Sequence, residues 1–132
     1  FDWNTMLSFE GNTAPYLQYA YTRIMSIFRR AGLNSADLTG PFNLTEPAEI
    51  ALATRLLQYP EAVESVVEDY QANVLCNYLF DLSQHFMTFY ESCPVLKAEG
   101  DTRNSRLRLC DLSGKTLKHG LGLLGIQTVE QM

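Results

Sequence analysis

The sequence has little that would serve chemistry on a substrate. Its three cysteines, Cys76, Cys93 and Cys110, form no close pair of the kind that holds zinc, and an odd number leaves one outside any disulfide scheme. They read as reduced, buried thiols of a cytosolic protein. The two histidines, His85 and His119, lie far apart, with no cysteine or carboxylate at zinc-motif spacing, so no metal site is expected. Cys93 and His85 would sit about two helical turns apart, too far for nucleophile–base contact. No Ser/His/Asp set is legible, and no glycine-rich phosphate loop follows a strand. Long apolar runs are also missing; the longest is far short of the roughly 20 residues needed to cross a bilayer. The first residues lack the basic, apolar, small-residue order of a secretory signal. The chain starts at Phe1, not at a methionine, and is aromatic from that point. This favours a piece of a longer protein, a single domain over 1–132.

What is present is the material of a packed core. Hydrophobic residues make up 46% and charged residues 19%, a balance that excludes a disordered chain. The net charge of −5 argues against a nucleic-acid partner when taken alone. The charge is unevenly spread, however. Residues 61–100 hold seven acids against the single base Lys97, whereas residues 101–132 hold five bases, Arg103, Arg106, Arg108, Lys115 and Lys118, against three acids. The tail is locally basic.

Every long periodic segment has the helical period, which predicts an all-α bundle of about five helices. Asn12 or Thr13 caps the first, Pro15 lies in its first turn, and Gly32 stops it after Ala31. The second spans Pro47 to Gln58 with apolar Ile50, Leu52, Ala53, Leu56 and Leu57. A short third starts at Pro60, with Val63, Val66 and Val67 on one side. The fourth, about Gln71 to Ser92, runs Leu75, Leu79, Leu82, Phe86 and Phe89 along one stripe until Pro94. The fifth, about Thr102 to Leu124, aligns Leu107, Cys110, Leu117, Leu121 and Leu124. Gly114 permits close approach there, and Gly125 terminates the helix.

Three tyrosines crowd the first helix in "APYLQYAYTRI". With Tyr16 at 0°, Leu17, Ala20, Tyr21, Ile24, Ile27, Phe28 and Ala31 fall between about 20° and 140°, a core stripe. Tyr19, Arg23 and Arg30 fall between about 300° and 340°, next to Tyr16. Tyr21 therefore belongs to the core, and Tyr16, Tyr19 and Arg23 form a separate face. Rings and a guanidinium on one flank suit an unstacked base. The plainer alternative is that these tyrosines sit at a helix boundary with their hydroxyls in water. The turn Ser8 to Thr13 offers Gly11 and small polar groups near a helix N-terminus, or is merely a connector. Met132 either fills an aromatic pocket or frays with the terminus.

Together, "FDWNTMLSFEGNTAPYLQYAYTRI", "RNSRLRLCDLSGKTLKHGLGLLGI" and the closing "TVEQM" resemble the C-terminal anticodon-binding domain of arginyl-tRNA synthetases, over essentially the whole chain. The resemblance implies an all-helical domain that grips the anticodon stem-loop of arginine tRNA beside a catalytic domain of the same chain. It implies contact with the anticodon loop through Phe9, Gly11, Asn12 and Thr13, with Tyr16, Tyr19 and Arg23 alongside. It also implies a pocket for the central anticodon base made by Tyr90 and Met132. Arg103, Arg106, Lys115 and Lys118 become candidate phosphate contacts, the acid-rich residues 61–100 being expected to face away from the RNA. The family commonly closes Val-Glu-Arg-Met, whereas this chain reads Gln131 before Met132. The parent enzyme of such a domain uses ATP and Mg in the cytoplasm, with signature motifs absent here; "KHGLG" at Lys118 to Gly122 is not one. The domain itself would be catalytically silent. A helical protein-interaction module without RNA binding is the alternative that the helical pattern equally allows.

Overall fold

Glycine and proline punctuate the chain where its helices begin and end. In the computed structural model, which describes residues 13–126 and 128, five α-helices follow one another: α1 (Thr13–Ala31), α2 (Pro47–Leu57), α3 (Tyr59–Asp69), α4 (Ala72–Ser92) and α5 (Gly100–Leu123). A 3₁₀ turn, Ser35–Asp37, lies between α1 and α2, and no strand occurs among the described residues. At the end of α1, Gly32 adopts φ +68°. Its N–H donates to the Arg29 carbonyl at 3.2 Å, and the Leu33 N–H to the Phe28 carbonyl at 3.3 Å. This double reach-back satisfies orphan carbonyls and turns Leu33 toward the side of the helix that carries Phe28. Arg29 and Arg30 in that last turn complement the helix dipole.

α4 is the spine. Leu75, Leu79, Leu82, Phe86 and Phe89, the stripe read from the sequence, are all completely buried. α1 buries Leu17, Ala20, Tyr21, Ile24, Ile27 and Phe28 against the same core, so Tyr21 is a core residue, as the wheel predicts. α5 contributes Leu107, Cys110, Leu117 and Leu121. Two glycines let α5 come close. A Cβ on Gly114 would lie 3.0 Å from Ile24 Cγ2 of α1, and one on Gly120 would lie 2.8 Å from the Leu79 side chain of α4. The three cysteines are buried free thiols.

The short helices depart from expectation. On α3 the buried residue is Ala62, while Val66 is only partly covered and Val67 is 71% exposed. On α2, Leu52 and Leu56 are buried, but Ile50 and Leu57 face outward. Both helices are only 11 residues long and have one narrow face to bury, and a solvent-exposed aliphatic side chain costs little.

Residues 34–46 have almost no regular structure, yet polar contacts strap them along α5. Ser35 Oγ donates to Asp111 at 2.9 Å, Arg108 donates to the Gly40 carbonyl with its guanidinium 4.6 Å from the centre of the Phe42 ring, and the Asn43 N–H donates to Ser105 Oγ at 2.7 Å. Where the strap enters α2, the buried carboxylate of Glu49 accepts from the Glu46 N–H at 2.8 Å, the Thr45 N–H at 3.1 Å and Arg106 Nε at 2.9 Å. Burial alone would raise the Glu49 carboxyl; the hydrogen bonds from Glu46, Arg106 and Thr45 outweigh it and hold the group below its ordinary value.

A depressed carboxyl contributes stability above its ordinary range near pH 4.5 and loses it as pH falls through the folded value. Replacing Arg106 by Met strands the Glu49 charge. We expect a loss of about 3 kcal/mol in urea unfolding at pH 7. The loss should shrink below the ordinary carboxyl range, and equal stability of the two proteins at pH 7 would contradict this role.

Candidate nucleic-acid interface

The face of α1 that the wheel sets beside the core meets α4 along one edge. Tyr16 packs its ring on Phe80 with centroids 5.1 Å apart and planes at 50°. Further along, the Arg23 guanidinium lies 5.8 Å from the Tyr19 ring centre and 5.9 Å from that of Tyr90. Tyr90 is itself stacked on buried Phe86, with planes at 11° and centroids 6.0 Å apart. The structure thus brings Tyr19, Arg23 and Tyr90, residues up to 71 positions apart in sequence, into one cluster.

Their roles in that cluster differ. Tyr19 is 44% exposed, the most open of the three. Tyr90 is half-buried and anchored from behind by Phe86. Tyr16 is half-buried, and its ring is partly committed to Phe80. Burial first, then the negative charge of Glu91, pushes its phenol above the ordinary value, so it stays a neutral donor.

Arg23 makes no ion pair among the described residues. Two other arginines show the contrast. Arg55 lies 4.6 Å from the Tyr78 ring centre but pairs with Asp81 at 2.8 Å, and Arg106 pairs with Glu49 at 2.9 Å. Those guanidiniums are spent on the fold; Arg23 presents its charge between two rings, with no carboxylate paired to it among the described residues.

The remaining candidates divide. Phe9, Gly11, Asn12 and Met132 lie outside the described residues, and Thr13 is the first residue of α1. Arg106 does not suit phosphate contact, because its side chain is 11% exposed and is held by Glu49 and, at 2.8 Å, by the Pro94 carbonyl. Lys115 is exposed but bonds Asp111 at 3.0 Å and Ser35 Oγ at 2.8 Å. Lys118 is exposed, Arg103 is half-buried, and neither forms an ion pair among the described residues. The acidic segment does not face wholly away: Glu91 follows Tyr90 on α4, and its field reaches Tyr16. Sequence reasoning missed Phe80, although Phe80, Met87 and Tyr90 recur at i, i+7 and i+10 and so share one edge of α4. It also passed over Arg108, whose position signals nothing until the strap lies against it.

Comparison with known proteins adds an independent line. The family model described as "DALR anticodon binding domain" matches residues 17–132. The chain is 58% identical to the arginine–tRNA ligase of Pectobacterium carotovorum and 55% identical to that of Proteus mirabilis, covering 100% of this chain and 23% of each relative. Among solved structures, the arginyl-tRNA synthetase of Thermus thermophilus superposes with a TM-score of 0.83 at 39% identity, and that of Plasmodium falciparum with 0.83 at 34%. Each superposition covers 100% of this chain and 23% of the other. The chain therefore spans about a quarter of the length of the relatives it matches.

The division of labour within the cluster can be measured. Tyr90→Ala removes a ring wedged on Phe86 and should cost about 2 kcal/mol on denaturant unfolding. Tyr19→Ala, at an exposed position, should stay within about 0.5 kcal/mol. The reverse order would mean that Tyr19, not Tyr90, is the structural ring.

Proposed function

The chain belongs to the DALR anticodon-binding domain family, and on that premise we propose that it reads the anticodon loop of arginine tRNA for a longer arginine–tRNA ligase. The observation that carries this reading is the Arg23 guanidinium, without an ion pair among the described residues, held between the exposed Tyr19 ring and the anchored Tyr90 ring. Bases of a loop can splay out and stack on such a platform, while the guanidinium bonds phosphate or stacks in turn. Tyr16 adds a hydroxyl donor at the adjoining edge. Phe9, Gly11, Asn12 and Thr13 complete the contact to the loop, and Met132 joins Tyr90 around the central anticodon base. Arg103, Lys115 and Lys118 touch phosphates, which position the RNA without specifying its sequence. Arg106 is left out of that set.

Catalysis belongs to the remainder of the ligase, which supplies the ATP-dependent, Mg-assisted activation of arginine in the cytoplasm. This domain gives that reaction its tRNA selectivity and docks against the catalytic domain. No helix among the described residues is long and apolar enough to cross a membrane.

The test is a binding titration with arginine tRNA beside the same tRNA whose central anticodon base is replaced, at low and moderate salt. Base reading gives a preference for the native anticodon that survives moderate salt, while overall affinity falls as counterions compete. Tyr19→Ala should weaken binding by about 1–3 kcal/mol, the worth of one stacked base. Arg23→Ala should weaken it with helical content unchanged. A chain that binds neither tRNA at low salt would return the bundle to a protein-interaction role.

A further inference from the structure

The exposed arc of α1 has two edges, and only one faces the tyrosine cluster. With Tyr16 at 0°, Met25 falls at about 180° and Arg29 at about 220°, across the helix from Arg23. Met25 and Phe28 line a groove of about 250 Å³ between the C-terminal half of α1 and α5. Leu33, turned back by the left-handed Gly32, completes an apolar floor, and Ser35, Lys115 and Lys118 form a polar rim. Gly114 lies in the same wall, where the end of the Met25 side chain packs close to it, 3.4 Å from where a Cβ would stand. A neighbouring groove of about 270 Å³ shares Met25, Phe28 and Leu33 and adds Arg29.

Charge continues from one edge to the other. Arg23 and Arg30 lie on the tyrosine side, Arg29 on the far side, and Lys118 beyond it on the groove rim. Asp111 also lines the groove, but it is occupied by Lys115 at 3.0 Å and by Ser35 at 2.9 Å. A helix with its side chains is about 10–12 Å across, so a strand leaving the tyrosine cleft crosses one helix to reach the second groove.

We propose that this groove receives a second nucleotide of the same RNA strand, its base lying on Met25 and Leu33 and its phosphate on Lys118. The inference rests on the RNA-binding reading above. An apolar floor suits the face of a base, and cations on the rim suit the backbone that carries it. An acidic peptide would be drawn by the same lysines, but it would have no use for a positive track that runs on around α1 to a pair of tyrosines. A polyanion follows such a track.

The experiment uses the 132-residue chain, carbon-13 labelled at the methionine methyls, with the anticodon stem-loop RNA of arginine tRNA as probe. Binding should move the Met25 methyl resonance. Abasic replacement of loop nucleotides one at a time should abolish that shift at one position, different from the position where the abasic change cancels the effect of Tyr19→Ala. Lys118→Gln should reduce the magnitude of the salt slope by about 0.7, which amounts to about fourfold weaker binding at 0.15 M salt. Because Lys118 is exposed, the fold should be untouched.

A Met25 methyl that stays still while Tyr19→Ala and Arg23→Ala weaken binding overturns this proposal and leaves the anticodon reading standing. A shift that persists with every abasic RNA, or a salt slope unchanged by Lys118→Gln, overturns it as well. No binding of the RNA by the unaltered chain overturns both readings.

Discussion

The site depends on how deeply α1 settles between α4 and α5. Gly114 sets that depth, since a single Cβ there would press to 3.0 Å from Ile24. With the hydrogen atom in its place, Ile24 is fully buried and α1 touches both long helices at once. One flank of α1 then falls against α4, where Phe80 and Tyr90 meet Tyr16 and Arg23. The opposite flank falls against α5, where Lys115 and Lys118 line one groove with Met25 and Phe28. A shift of α1 outward by a methyl would loosen both edges together. Close packing transmits such a shift because an interior without voids cannot absorb it.

Electrostatics follow from the same placement. A net charge of −5 would repel a polyanion if it were spread evenly. The fold instead uses carboxylates to neutralise cations it needs for itself: Glu49 holds Arg106, Asp81 holds Arg55, and Asp111 holds Lys115. The cations without such partners among the described residues include Arg23 and Lys118, and both line the edges of α1. Glu91 is the exception, an acid at the tyrosine edge. A carboxylate there can accept from an exocyclic amino group of a base.

How much could be read from the sequence depended on the length of the periodic signal. The stripes of α1, α4 and α5 repeat over several turns, so Leu17, Tyr21, Ile24, Leu79, Phe86 and Leu117 declared themselves as core, and Gly32 and Gly125 took the left-handed conformations expected of helix stops. α2 and α3 are 11 residues each, too short for the wheel to separate one buried face from apolar residues left outside, which is why Leu57 and Val67 could not be told from the buried Leu52, Leu56 and Ala62. Arg106 looked like its neighbours because charge alone does not show a partner 57 positions away. The strap was invisible for the same reason: Ser35, Gly40 and Asn43 carry no period, and their contacts exist only once α5 lies beneath them. The tyrosine face was legible as a face, but Phe80 and Tyr90 could join it only through the crossing of α1 and α4.

The geometry around Arg23 bears on how an RNA base would enter. Its guanidinium stands 5.8 and 5.9 Å from the two ring centres, near the outer limit of about 6 Å at which a cation gains from a ring. At a partly exposed site each such contact is worth about 0.5–1 kcal/mol. A base stacked on an aromatic ring is worth roughly 1–3 kcal/mol. On the proposed reading, a base that stacks on Tyr19 would gain more than the cation–ring contact it replaces, and the Arg23 guanidinium would then be free to bond phosphate.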